Sequence, residues 1–195
     1  MSNLDPVLSI MLGTGLAAAT GFRVFLPMLI VSFAAYAGYL PLSEGFAWLG
    51  TPAAMLMLGV AAVLEVGAYF VPGVDNLLDF LAAPVAVIAG AIVSASTMTE
   101  LPPMMKWTAA IIAGGGAAGI VHGVTAAVRA KSTVLTGGFG NSAIATVELG
   151  GALLVSLLAL AAPLAAFLVV VLILWLAIHL IRRLRRPAHR AETAK

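Results

Sequence analysis

Cysteine is absent from all 195 residues. That rules out disulfides, thiolate metal sites and a cysteine nucleophile. Charge is scarce as well: 9% of residues are Asp, Glu, Lys or Arg, against 62% hydrophobic. A soluble domain carries about 25% charged residues, so this chain has too few to cover a water-facing surface. No basic residue stands between Met1 and Pro6, so a cleaved signal peptide is not expected. Barrel strands would alternate apolar and polar residues, and that alternation is missing. The apolar runs are long and rich in Ala, Leu and Gly, and mean hydropathy is +1.11.

What remains is an all-α, polytopic transmembrane bundle. A spanning helix needs roughly 20 apolar residues, so the length allows roughly six or seven spans and no separate soluble domain. We read residues 1–181 as one transmembrane domain and 182–195 as a basic tail. Proline, glycine and charge mark segments at 6–21, 22–39, 52–70, 75–96, 103–128, 141–162 and 163–181. The first two form one apolar stretch interrupted by Gly21, Arg23 and Pro27. It is too long for one straight span, and is read as either a tight hairpin or a broken helix. Its break is expected between Thr20 and Pro27, because Gly21 disfavours helix, Pro27 lacks an N–H and Arg23 is costly against lipid.

The net charge of +2 hides an asymmetry. Residues 182–195 hold six Lys/Arg and one acid, whereas residues 1–181 hold four Lys/Arg and seven acids. Lys/Arg-rich loops stay cytoplasmic, which places the C-terminus and an expected loop at 129–140, with Arg129 and Lys131, there. The loops at 40–51 and 97–106 then face outward. The expected location is the bacterial inner membrane, with the tail on anionic lipid head groups. The tail lacks interleaved aromatic residues, so nucleic acid is not an expected partner. Self-association is left open. Residues 49–72 lie against 139–162 at a constant offset of 90, as in the inverted repeats of transporters. The four identities, such as Gly50/Gly140 and Leu64/Leu154, are close to what this composition gives by chance, so the repeat is weak.

Ionisable residues inside a membrane are expensive and are candidates for function. Glu65 lies seven residues before Pro72, and Glu148 seven after Asn141. At 1.5 Å per residue both sit about 10 Å inside the cytoplasmic end of their helices. Asp75 and Asp79 are one turn apart, and His122 and Arg129 two turns apart on one face. With Arg23 these residues concentrate in the cytoplasmic half. Simpler readings stand beside the functional one. Asp75 and Asn141 are well placed as helix N-caps, with Asp79 near the same positive helix end. Glu65 and Glu148 could be buried partners of Arg23, Arg129 or His122 that fix packing. The run Gly114–Gly119 lacks the Lys-Ser/Thr of a phosphate loop and suits close helix approach, as does Gly15–Gly21. No metal set, cofactor or catalytic nucleophile is indicated.

With those residues in view, the chain resembles the DUF4126 family of small bacterial membrane proteins, a family without an established activity. The matching pieces are Gly15–Arg23 with Pro27, Phe46–Gly50, Glu65, Val71–Asp75 with Asp79, His122, Arg129, and Gly137–Asn141 with Glu148. The chain departs from the family pattern at three places: Tyr69-Phe70 replace an Asp-Lys pair, Leu149 an Asp and Ala83 an Arg. The resemblance implies a multi-pass helical fold and supplies no reaction. Two functions follow from the residues themselves. One is a small-solute or ion transporter or channel-like protein with a cytoplasm-facing polar site formed by Glu65, Glu148, Asp75, Asp79, Arg23, His122, Arg129 and Asn141. The other is a structural, assembly or lipid-interacting protein whose charges only pack helices.

Overall fold

The computed structural model describes residues 5–71 and 74–184; of Asp75 it describes the backbone alone. The Pro72-Gly73 turn and most of the basic tail therefore lie outside the described residues. Seven helices are present among the described residues, with no strand. They are α1 (Pro6–Phe22), α2 (Phe25–Tyr36), α3 (Pro52–Ala68), α4 (Val74–Thr97), α5 (Pro103–Thr136), α6 (Asn141–Ala161) and α7 (Pro163–Leu184). A short 3-10 turn at Ala47–Gly50 precedes α3.

The starts follow local chemistry. Pro6, Pro52, Pro103 and Pro163 each open a helix, where a missing N–H costs nothing. Asp5 accepts the Val7 N–H at 2.8 Å, and the Thr51 hydroxyl accepts the Ala54 N–H at 3.2 Å. One residue, Ala162, joins α6 to α7. Helix α5 runs further than its composition suggests. It was expected to end near Val128 but continues to Thr136, through a π-helical turn at Ala110–Gly115. Arg129 and Lys131 are thus on a helix and not in a loop. No residue between 129 and 136 breaks a helix; Gly137 and Gly138, at φ 63° and 94°, do.

The first apolar stretch is a helical hairpin. It breaks at Arg23–Val24, inside the expected interval, and α2 runs back so that Ala34 and Leu40 line one groove with Leu12. Helix α1 is the centre of the bundle. Leu12 to Gly21 are all buried, and α4, α5, α6 and α7 all pack on it. Small residues permit this. A Cβ on Gly21 would lie 2.5 Å from the Ala118 carbonyl oxygen, and one on Gly90 would lie 2.5 Å from the Ala118 Cβ. Without a hydrophobic drive between helices in lipid, such close backbone contact is what holds them. Helix α3 is peripheral, resting mainly on α2, with Met57, Val60, Val63 and Leu64 exposed.

Among the described residues three helical stretches are long and apolar enough to cross a membrane: Leu77–Thr97, Pro103–Thr136 and Asn141–Ala161. The stretches Pro6–Phe22, Phe25–Tyr36, Pro52–Ala68 and Pro163–Leu176 are apolar but shorter. At 1.5 Å per residue, the 17 residues of α1 reach about 26 Å against a hydrocarbon core of about 30 Å. The 49–72 and 139–162 segments occupy different surroundings, since α3 rests on α2 whereas α6 packs against α1 and α7.

Candidate functional site

The site starts at the hairpin tip. Arg23 ends α1 in extended backbone, φ −146° and ψ 128°. That turns its side chain into the bundle, where the residue is buried. Val24, next in line, gives α2 no side-chain cap. Glu65 of α3 supplies one from outside. Its Oε1 accepts the Val24 N–H at 2.7 Å, and its Oε2 the Phe25 N–H at 3.1 Å. A carboxylate there answers both the orphan donors and the positive end of the helix dipole.

Behind the tip the charges converge. Arg23 Nη2 donates to the Ala145 carbonyl oxygen at 3.0 Å and lies 3.4 Å from Glu148 Oε2. Arg129 Nη1 lies 3.0 Å from the same oxygen, and its Nη2 lies 2.9 Å from Asp79 Oδ1. Both guanidinium groups sit over the ring of Tyr69, 3.9 Å and 4.4 Å from its centroid. His122 Nε2 is 3.1 Å from the Asp79 carbonyl oxygen; because a carbonyl can only accept, that nitrogen carries the proton. Asn141 Nδ2 donates to the Thr133 hydroxyl at 2.8 Å. The chain thus brings α1, α3, α4, α5 and α6 together at one end through polar contacts.

Two cations and two carboxylates balance in this cluster, and all are withdrawn from solvent. The side chains of Arg23 and Arg129 are 0% exposed, that of Glu148 3% and that of Asp79 11%. Burying an ion costs several kcal/mol even after relaxation, so such a pair is often no more stabilising than apolar packing. Stacking on Tyr69 returns about 0.5–2 kcal/mol per cation. The donors are not all used: among the described residues Arg23 Nε and Nη1 and Arg129 Nε have no hydrogen-bond acceptor. Each guanidinium has five N–H donors, more than its partners here engage.

The structure places Arg23, Asp79, Arg129 and Glu148 in one ion-pair network, with Glu65, His122 and Asn141 at its edge. Glu65 and Glu148 reach the same neighbourhood through Arg23, whose charge interacts with both. Two simple readings change. Asn141 is the first residue of α6, with Gly140 as its cap, and its side chain turns to α5. Asp79 pairs with Arg129 across to α5. The side chain of Asp75 is outside the described residues. Of the glycine run, Gly114 and Gly115 abut α4 whereas nothing faces Gly116, which suits close helix approach. Among the described residues no group of three or more His, Asp or Glu is placed to hold a metal ion. Tyr69 was not anticipated. It lies four residues after Glu65 and hence on the same helix face, which was the available signal.

A family model described as a domain of unknown function (DUF4126) matches residues 10–183. The chain belongs to the DUF4126 family. All the candidate residues from Arg23 to Glu148 fall inside the matched range. No curated protein and no solved structure matches the chain.

Proposed function

We propose that this DUF4126 protein crosses the bacterial inner membrane seven times and moves a small polar solute or an ion, with the buried cluster as its working site. The long apolar helices support the membrane placement, as does the distribution of aromatic residues. Tyr36, Tyr39, Trp48 and Trp107 are exposed at the end away from the cluster, where an interfacial aromatic belt belongs. Lys131 and the arginine-rich sequence of the tail support a cytoplasmic placement of the cluster end. On this reading the tail rests on anionic lipid head groups.

The observation that carries the proposal is a network of four charged side chains, three of them buried, in which guanidinium donors stay without acceptors. Such a cluster is costly and contributes little stability that apolar packing would not. Ionisable groups at this depth mark ion and proton pathways. A proton or cation competing for Glu148 Oε2 would release one guanidinium. Arg23 sits on the hairpin tip and Arg129 on α5, so release would loosen the two elements from each other.

A second reading is an assembly protein whose charges lock five helices, and the near-complete burial of Glu148 favours it. Proteoliposomes holding the purified protein and a pH-sensitive dye separate the two. Transport predicts proton, sodium or potassium flux under an imposed gradient, lost in Glu148→Gln while the protein still purifies as a folded species. Absence of flux for all three ions, with Glu148→Gln lowering only the melting temperature, supports the lock.

A further inference from the structure

A crevice of about 410 Å³ lies between α2 and α3 on one side and α4 on the other. Pockets that bind small molecules start near about 300 Å³. Its walls are apolar, with Leu64 and Ala68 of α3 and Leu81 and Val85 of α4 among them. Leu64, Leu81 and Val85 are also exposed on the flank of the bundle. The crevice therefore opens sideways, toward what would be acyl chains, and not along the bundle axis. Helices α3 and α4 touch each other little, since α3 rests on α2 and α4 on α1 and α5. The gap between them can widen without opening the core.

Glu65 is among the residues that line this crevice, beside Tyr69. Among the described residues its carboxylate is in no ion pair, and Arg23 and His122 interact with it only at longer range. Arg23 and Arg129 are matched by Glu148 and Asp79. Glu65 has the two N–H groups that open α2, and a helix N-terminus is equivalent to about half a positive charge. Arg23 contributes at longer range but is spent on Glu148. Each carboxylate oxygen accepts a single N–H and keeps a further lone pair. Glu65 is also only partly buried, unlike Glu148. One carboxylate among apolar walls, with a lateral mouth, suits a ligand that is both cationic and apolar.

We propose that this crevice is a lateral binding site for a lipophilic organic cation, with Glu65 as its counter-ion. The apolar groups of the ligand lie between α3 and α4, and its cationic centre faces the carboxylate. Entry is from the bilayer, so the ligand need not pass through the buried ion pairs. The site stands whether or not the cluster transports anything.

Tetraphenylphosphonium is the probe, with tetraphenylborate, its anion of the same shape, as the control. Binding is measured to the full chain in phosphatidylcholine nanodiscs, with empty discs as background. The wild type should bind tetraphenylphosphonium saturably and at least about tenfold more tightly than tetraphenylborate. Glu65→Gln should weaken that binding by about tenfold or more. Leu81→Trp, which fills the crevice and leaves Glu65 in place, should weaken it comparably with an unchanged melting temperature. Glu148→Gln should leave it within about threefold, which separates this site from the transport reading. Equal binding of the two probes, no saturable binding by the wild type, or full binding by Leu81→Trp would overturn the proposal.

Discussion

Arg23 and Arg129 meet on one oxygen, Glu148 Oε2, at 3.4 and 3.0 Å. They come from the tip of a hairpin and from a helix more than a hundred residues later. The same two guanidinium groups share the ring of Tyr69. One carboxylate and one aromatic ring therefore tie the hairpin to the rest of the bundle at the end where the buried ion pairs lie.

The ring of Tyr69 should matter more than its hydroxyl. Tyr69→Phe keeps the aromatic face for both cations and should change stability by less than about 1 kcal/mol. Tyr69→Ala removes a buried aromatic side chain and both stacking contacts, and should cost about 3–5 kcal/mol. Thermal unfolding of the two variants in the same detergent measures the contrast. Equal losses would mean that the ring does not hold the guanidinium groups.

The glycines should divide by what faces them. A Cβ on Gly90 meets the Ala118 Cβ at 2.5 Å, whereas one on Gly116 meets nothing within 4 Å. Gly90→Ala should force α4 away from α5 and cost about 1–3 kcal/mol. Gly116→Ala should be neutral or stabilise by up to about 1 kcal/mol through the unfolded chain. Melting temperatures of the pair test this, and similar losses in both would contradict the packing described.

Much of this was legible in the sequence for identifiable reasons. Proline and glycine punctuate apolar runs where hydrogen bonding must stop, so Pro52, Pro103 and Pro163 mark true helix starts. Gly21, Arg23 and Pro27 announced the break at Arg23–Val24. Depth counting brought Glu65 and Glu148 to one level because rise per residue is fixed. Side-chain partners were not legible. Nothing in linear order shows that Asn141 turns to Thr133, or that Glu65 caps a helix other than its own. Tyr69 looked like part of an apolar run because an aromatic ring serves lipid and cation equally well. The extension of α5 past Arg129 was missed because charge was read as a loop signal, while the residues there form helix readily.

The orientation can be tested chemically because the chain has no cysteine. Cysteines placed at Ser132 and Thr193 should resist a membrane-impermeant thiol reagent in intact cells. Cysteines at Tyr39 and Glu44, on the opposite side, should react with it. Labelling at Ser132 or Thr193 would reverse the topology and move the cluster to the outer face.

Arg129 and Glu148 form an energetically coupled pair inside the bundle. A double-mutant cycle with Arg129→Met and Glu148→Met, read by unfolding in lipid nanodiscs, tests it most directly. Each single change strands a buried charge and should cost about 3–5 kcal/mol. The double change strands neither of those two charges, and its cost should fall below the sum of the singles by at least about 1.5 kcal/mol. Strictly additive losses, with no coupling, would contradict the network and every reading built on it.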